Sequence, residues 1–201
     1  DGVFNHASNL CPEFRHALAH GSRSPYWDWF LFHDGQAAQN TPVEALSSAR
    51  MKADPPYECF AFAANMPKWN TDHPAVIEHL TGIAQRWTRT LSLDAWRLDV
   101  PDEISPRFLR VFRERMREAN PNIEIIGEIW GEPWPWLGGD QFDGAMDYPH
   151  YFAIRDFLLR QTLPAQAFCD RMNTLAAQLP AARYPSQMRF IANHDLPRPR
   201  T

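Results

Sequence analysis

The strongest limit on how this chain can fold comes from three short apolar runs. Each run is preceded by a helix-like segment, and each carries a carboxylate near its end. The runs cover residues 93–100, 123–130 and 188–195, and their acids are Asp99, Glu128 and Asp195. Strands that alternate with helices are typical of βαβ units, which build a parallel sheet. Because parallel strands have their carboxyl ends at one edge, we expect the three acids to lie together there.

The segments between these runs have the apolar spacing and the boundary residues of helices. One helix is predicted to begin at residues 71–74, and a second to begin at Ser105-Pro106 and end at Asn120-Pro121. The predicted sheet-facing residues are Val76, Leu80, Ile83 and Trp87 in the first helix, and Phe108, Leu109, Phe112 and Met116 in the second. Later helices are predicted over residues 151–160 and from Pro164 to Pro180, the latter with Phe168, Met172, Leu175 and Leu179 on one face. A short strand at 142–146 and a truncated strand at the start bring the count to about five, too few for a closed eight-stranded barrel.

Arg97 and Asp99 are two residues apart on a predicted strand, so their side chains project to the same side. A guanidinium at that distance favours the charged carboxylate, which suits a nucleophile. A structural ion pair at a strand end would explain the two residues equally well. Three acids at one edge, with Arg97 beside one and His194 beside another, nevertheless form a pattern typical of glycosidases.

Composition argues against several other classes of protein. Hydrophobic residues make up 44% of the 201 residues, which allows a packed core and argues against disorder. The net charge is −4 and the Lys and Arg residues are dispersed, so no nucleic-acid partner is expected. The sequence contains no apolar run of membrane-spanning length and no visible signal peptide, so no membrane partner is expected either. Three widely spaced cysteines without a metal-ligand or CxxC pattern suit a reducing compartment, which predicts a cytoplasmic protein.

Residues 7–70 lack clean periodicity and contain Gly, Pro and Ser clusters with an aromatic patch at residues 26–30. A loop of this length is usually functional or a small inserted domain, and we expect it to cover one side of a cleft. The chain does not begin with Met and opens inside a motif, so we expect it to be part of a longer protein.

Five motifs, in order along the chain, resemble the signatures of one enzyme family. They are Asp1-Gly2-Val3-Phe4-Asn5-His6, Met66-Pro67-Lys68-Trp69-Asn70, Trp96-Arg97-Leu98-Asp99, Gly127-Glu128-Ile129-Trp130 and Asn193-His194-Asp195. Over its whole length the chain resembles the α-amylase superfamily, glycoside hydrolase family 13. Residues 66–70 are similar to the signature of the neopullulanase, cyclomaltodextrinase and maltogenic amylase branch, with Trp69 where that branch has Leu. Residues 101–103 depart from the usual Ala-Asn-Glu, which leaves the leaving-group preference and transglycosylation open.

The resemblance implies an α/β fold that is a partial (β/α)8 barrel. Residues 1–6 and 71–201 would supply about strands three to seven, and residues 7–70 would form an inserted domain after strand three. The remaining strands would lie outside this chain, so we expect the 201 residues in isolation to be inactive.

The resemblance also assigns roles to individual side chains. Asp99 would be the nucleophile, Glu128 the general acid and then base, and Asp195 a third acid that holds sugar hydroxyls. The substrate-binding residues would be His6, Arg97, Glu103, Trp130 and His194. Without the motifs, the histidines would be interpreted as hydrogen-bond partners of carboxylates. Trp130 could equally be a cap on the barrel edge.

The expected reaction is hydrolysis of α-1,4-glucosidic bonds in cyclomaltodextrins, maltooligosaccharides or pullulan, with retention of configuration. The alternatives are an α-1,6-glucosidase or 4-α-glucanotransferase of the same superfamily, and a non-catalytic carbohydrate-binding homologue. Asn5 matches a calcium-ligand position of many amylases, but we expect no required metal or other cofactor. The full-length parent is expected to be a homodimer.

Overall fold

The computed structural model describes residues 1–33, 55–179 and 181–199. Within these residues four parallel strands form one sheet: β1 (Gly2–Val3), β2 (Ala95–Asp99), β3 (Glu124–Gly127) and β4 (Gly144–Ala145). The strands lie side by side in chain order, and the register pairs Val3 with Asp99 and Leu98 with Gly127. The predicted α/β fold with parallel strands is therefore confirmed.

The prediction of a strand over residues 188–195 is wrong. Met188 forms one parallel bridge to Met146, and its N–H donates to the carbonyl of Ala145 at 2.9 Å. The pairing ends there because the neighbouring chain leaves the sheet to begin a helix at Tyr148. Without a partner to extend the ladder, the described residues after Met188 form bends and turns.

In the described part of the chain the α-helices are α1 (Pro12–His20), α2 (Pro74–Leu91), α3 (Pro106–Ala119), α4 (Tyr148–Ile154) and α5 (Ala165–Gln178). A π-helical turn, Arg155–Leu159, follows α4, and short 3₁₀ segments lie at Gly21–Arg23, Trp27–Trp29, Phe60–Phe62, Pro101–Glu103, Trp134–Trp136 and Ala181–Arg183. The predicted starts of α2 and α3 are confirmed. Their capping side chains, His73 Nδ1 and Ser105 Oγ, each accept a hydrogen bond from a first-turn N–H at 3.2 Å. No helix in the described ranges combines the length and the apolarity that crossing a bilayer requires.

The inner face of α2 differs from the prediction at one position. Val76 and Leu80 are buried as expected, but Trp87 is 45% exposed and Thr88 is buried in its place. The hydroxyl of Thr88 accepts a hydrogen bond from Trp96 Nε1 at 2.8 Å, which gives the buried indole its partner. The apolar spacing points to Trp87, whereas the hydrogen bond from the buried indole of Trp96 selects Thr88.

The later helices follow the predicted pattern with shifted boundaries. α4 begins at Tyr148 rather than at residue 151, because Asp147 Oδ1 accepts a hydrogen bond from the N–H of His150 at 3.3 Å and caps the helix. On the predicted face of α5, Leu175 and the following Leu179 are buried, whereas Phe168 and Met172 are half-buried. The predicted end at Pro180 lies outside the described residues.

The excursion between β1 and α2 is tied to the end of β1. The N–H of Ala7 donates to the carbonyl of Pro67 at 2.8 Å, and the N–H of Trp69 donates to the carbonyl of Asn5 at 3.1 Å. Aromatic side chains of this segment join the same hydrophobic core as the sheet and its helices: Phe14, Phe30, Tyr57 and Trp69. These contacts hold residues 66–70 beside the carboxyl end of β1. Residues 34–54 of the predicted inserted domain lie outside the described residues.

The amino-terminal side of the sheet is held by a buried carboxylate, Asp143. Arg113 forms two hydrogen bonds with it at 2.8 and 2.9 Å, and Arg117 and Arg183 contact it at 3.0 and 3.2 Å. Burial acts to raise the pKa of Asp143. The hydrogen bonds from Arg113 and from the N–H of Ile125, with the arginine charges, outweigh burial and lower the pKa.

Asp143→Asn should lower the free energy of unfolding of the full-length protein by about 3 kcal/mol at neutral pH, since it leaves three partly buried guanidinium groups without their counter-charge. Because the folded pKa is depressed, this contribution is present above the ordinary value of 3.8 and is lost as the pH falls through the folded value. Urea unfolding at several pH values measures both effects. Asp140→Asn is the control, because Asp140 pairs with Arg110 in a half-exposed position and its loss should cost under about 1 kcal/mol. Equal costs for the two variants would contradict this account.

Candidate active site

Arg97 joins the carboxyl groups at the ends of two neighbouring strands. Its Nη1 donates to Asp99 Oδ1 at 2.7 Å, and its Nη2 lies 2.9 Å from Glu128 Oε2 in an ion pair without a directed hydrogen bond. Asp99 ends β2 and Glu128 directly follows β3, so the parallel order of the strands brings both acids to one edge. Because one guanidinium reaches both carboxylates, Asp99 and Glu128 are neighbours, as the strand pattern predicted.

The turn after Asp99 directs a backbone N–H group at Glu128. Val100 has φ +44°, a left-handed conformation that is strained for a β-branched residue. In this conformation its N–H donates to Glu128 Oε2 at 3.2 Å. The strained backbone of Val100 thus provides a hydrogen-bond donor to Glu128. This strain lies beside the motif residue Asp99.

Glu128 is held by donors on several sides. Its side chain is 6% exposed, and Oε1 accepts a hydrogen bond from Trp130 Nε1 at 3.2 Å. Trp130 itself is 45% exposed and stacks on Tyr148 with ring centroids 4.2 Å apart. Trp130 therefore both caps the edge of the sheet and presents one half-exposed face beside the two acids.

His6 and Glu103 form the side of the site nearest the excursion. His6 stacks on Phe60 with ring centroids 4.7 Å apart, and burial lowers the pKa of its imidazole. The charges of Asp99 and Glu103 oppose this shift, and that of Lys68 adds to it. Lys68 Nζ pairs with Glu103 Oε2 at 2.9 Å. Neither Phe60 nor Lys68 was assigned a role from the sequence, although Lys68 lies within one of the motifs.

Asp195 and His194 reach the same edge by a different route. His194 Nε2 lies 3.2 Å from Asp195 Oδ2, and both side chains are exposed. The N–H of Asp195 donates to Asn193 Oδ1 at 3.0 Å, and Asn193 Nδ2 donates to the hydroxyl of Tyr148 at 2.9 Å. Asp195 is thus linked to Glu128 through the side chains of Asn193, Tyr148 and Trp130.

Asn5, which matches a calcium-ligand position of many amylases, contacts a carboxylate that already has another partner. Asn5 is buried, its Nδ2 donates to Glu103 Oε2 at 3.3 Å, and its Oδ1 has no hydrogen-bond partner among the described residues. Calcium takes about six to eight oxygen ligands, mostly carboxylates and carbonyls. The carboxylate that Asn5 contacts is already paired with the Lys68 ammonium. In the ranges that the structure describes, no group of three or more His, Cys, Asp or Glu residues could hold a metal ion.

Parallel β-α units with acids at their carboxyl edge define a segment of a β/α barrel that carries its site where barrel enzymes place catalytic groups. All 201 residues match the family described as the alpha-amylase catalytic domain, and the chain belongs to this family. The resemblance inferred from the motifs is therefore confirmed.

Comparisons with individual proteins agree on the branch. The chain is 38% identical to a cyclomaltodextrinase from a Bacillus species over 98% of the chain and 34% of that protein. It is 37% identical to an intracellular maltogenic amylase from Bacillus subtilis strain 168, over 86% of the chain and 27% of that protein. A solved cyclomaltodextrinase structure superposes with a TM-score of 0.86 at 36% identity, covering 96% of this chain and 31% of the other. The chain spans about a third of the length of the curated relatives it matches.

Proposed function

We propose that the protein containing this chain is a retaining glycoside hydrolase that cleaves α-1,4-glucosidic bonds in cyclomaltodextrins, maltooligosaccharides or pullulan. The observation that supports this most directly is the contact of one guanidinium, that of Arg97, with both Asp99 and Glu128. Carboxyl groups about 5–5.5 Å apart are typical of retaining enzymes, whereas inverting enzymes separate them by about 6.5–9.5 Å to admit a water molecule. Two acids that share one arginine favour the shorter separation.

In this mechanism Asp99 attacks the anomeric carbon while Glu128 gives a proton to the departing glycosidic oxygen. The bond to the leaving sugar breaks and a glycosyl ester of Asp99 forms. Glu128, now deprotonated, takes a proton from water, which attacks the same carbon and releases Asp99. Each of these two displacements inverts the configuration of the anomeric carbon, so the net result is retention.

The remaining residues of the site would bind the sugar. His6, kept neutral by burial, can both donate to and accept from sugar hydroxyls. Asp195 and His194 would hold hydroxyls of the reacting ring, and the exposed face of Trp130 would stack on a sugar. Glu103, paired with Lys68, would line the side that receives the leaving group or acceptor.

The names of the relatives support the substrate class and compartment that we propose. Relatives named cyclomaltodextrinase and intracellular maltogenic amylase support an α-glucan substrate and a cytoplasmic location. We further propose that residues 1–6 and 71–201 form part of the barrel, with residues 7–70 as the inserted domain.

Product analysis with the full-length protein tests the proposal. Incubation with β-cyclodextrin, pullulan and maltotriose should release reducing sugar from each, and nuclear magnetic resonance of the first products should detect the α anomer. A first product of β configuration would contradict retention. Cleavage confined to α-1,6 bonds, or transfer without hydrolysis, would identify the two enzymatic alternatives. Binding without any release of reducing sugar would identify a carbohydrate-binding homologue.

A further inference from the structure

Tyr148 is a fully buried residue at the edge that carries the acids, and the mechanism above gives it no role. It is the first residue of α4 and follows the carboxyl end of β4. Its hydroxyl accepts a hydrogen bond from Asn193 Nδ2 at 2.9 Å, and its ring stacks on Trp130 at an interplanar angle of 18°. Tyr148 therefore contacts Trp130, which hydrogen-bonds to Glu128, and Asn193, which hydrogen-bonds to the backbone of Asp195.

The ring of Tyr148 acts on Glu128 through Trp130. The indole Nε1 of Trp130 donates to Glu128 Oε1, and a hydrogen bond of this kind requires the indole plane to be fixed. Because nearly half of Trp130 is exposed, the stack on Tyr148 is a main restraint on that plane. Loss of the ring would free the indole to turn away from the general acid.

The hydroxyl of Tyr148 acts on Asp195 through Asn193. The two ends of the Asn193 amide are both used, with Nδ2 on Tyr148 and Oδ1 on the backbone N–H of Asp195. This link matters because Asp195 lies on a turn rather than on a strand. Burial and the charges of Glu128 and Asp195 raise the pKa of Tyr148 to about 12, against the effect of the Asn193 hydrogen bond. The hydroxyl therefore keeps its proton across the working pH range.

The backbone of Tyr148 is itself held in place. Asp147 Oδ1 accepts hydrogen bonds from the backbone N–H of His150 at 3.3 Å and contacts its Nδ1 at 2.7 Å, which closes the first turn of α4. The ring of Phe190 packs edge-on against Tyr148, with centroids 5.0 Å apart. Because the backbone and ring of Tyr148 are held by these contacts, Tyr148 can in turn hold Trp130 and Asn193 in place.

We propose that Tyr148 is a positioning residue that sets the general acid and the third acid relative to each other, through its ring and Trp130 on one side and its hydroxyl and Asn193 on the other. This inference rests on the proposed function, because it assigns Tyr148 an effect on the roles proposed for Glu128 and Asp195.

Tyr148→Phe in the full-length protein tests the hydroxyl, since the ring and its stack remain. The value of kcat should fall about fivefold to tenfold, the rate equivalent of one hydrogen bond. The loss should be equal on maltotriose and on 4-nitrophenyl α-maltoside, because in the proposed function Asp195 would contact the sugar that is common to both. A kcat within about twofold of the wild type on both substrates would overturn the proposal.

Tyr148→Leu tests the ring. Departure of 4-nitrophenolate needs little protonation, whereas departure of a sugar needs the general acid. This variant should therefore lose a further factor of at least about five in kcat/KM on maltotriose relative to 4-nitrophenyl α-maltoside. A role limited to stability would lower the two rates alike, so an unchanged ratio would also overturn the proposal.

Tyr57→Phe is the matched control, because Tyr57 is equally buried and its hydroxyl donates to the carbonyl of Ala64 at 2.7 Å, in the excursion. It should lower Tm about as much as Tyr148→Phe while leaving kcat on both substrates unchanged. The wild-type protein must hydrolyse both substrates for the comparison to be made. If it hydrolyses neither, the proposed function fails, and that result differs from a failure of either Tyr148 variant.

Discussion

Asp99→Asn in the full-length protein should lower kcat on maltotriose by about 10³-fold or more, while Tm changes little. An amide oxygen can still accept the hydrogen bond from Arg97, so the site should keep its shape. The amide is a far weaker nucleophile than the carboxylate and cannot form the glycosyl ester on which the proposed mechanism depends. The measurement is the rate of reducing-sugar release, together with thermal unfolding.

Asp94→Asn is the matched control for this substitution. Asp94 directly precedes β2 and is exposed, so it lies at the opposite end of the strand that carries Asp99. Its replacement should leave kcat unchanged. Asp99→Ala with added azide refines the test, because azide can enter the space left by the carboxylate and give a glycosyl azide of inverted configuration. An Asp99→Asn variant within about tenfold of wild-type kcat would contradict the nucleophile assignment.

Gly144→Ala should prevent folding of the full-length protein or lower its free energy of unfolding by at least about 3 kcal/mol. Gly144 lies in β4, where it pairs with Ile126 on one side. A Cβ at this position would overlap the backbone carbonyl of Ser186 on the other side. Backbone atoms on both sides cannot move apart without loss of the pairing that orders the sheet, so the clash has no inexpensive relief.

Gly82→Ala provides the control for the glycine prediction. Gly82 lies within α2, and a Cβ there would meet nothing within 4 Å. Alanine should therefore stabilise the protein by about 0.5–1 kcal/mol, because it favours the helix over the unfolded chain. Urea unfolding of the full-length variants measures both effects. A Gly144→Ala variant as stable as the wild type would refute the close approach of the segment around Ser186 to β4.

The relation between sequence and structure differs among the three acids. Asp99 and Glu128 could be predicted to be neighbours, because each ends a run that forms a strand and the two strands pair directly. The sequence also places Asp195 at this edge, but its prediction of a strand there is wrong. The run before Asp195 has no strand to pair with, because the neighbouring chain leaves the sheet where α4 begins. Its position depends on hydrogen bonds of Asn193 instead.

Residues that support the site were harder to find. Tyr148 lies two residues after the short predicted strand at 142–146, which is a weak sequence signal for a site residue. Its contacts with Trp130 and Asn193 could not be predicted from the sequence. Lys68 lay within a motif, but its pairing with Glu103 joins segments that local sequence patterns cannot relate. Trp87 was predicted to be buried, but Thr88 is buried instead. Hydrophobicity does not reveal which side chain accepts a hydrogen bond from a buried indole N–H.

The sequence by itself determined the alternation of helices and strands, the helix starts and the edge at which the acids lie. These features follow from local periodicity, capping and the shared direction of parallel strands. Only the tertiary structure decided that Arg97 serves two carboxylates, that Val100 turns its N–H toward Glu128, and that Asn5 contacts Glu103 across 98 positions of sequence. Contacts between such distant segments are fixed by how whole elements pack, and local propensity carries no information about that packing.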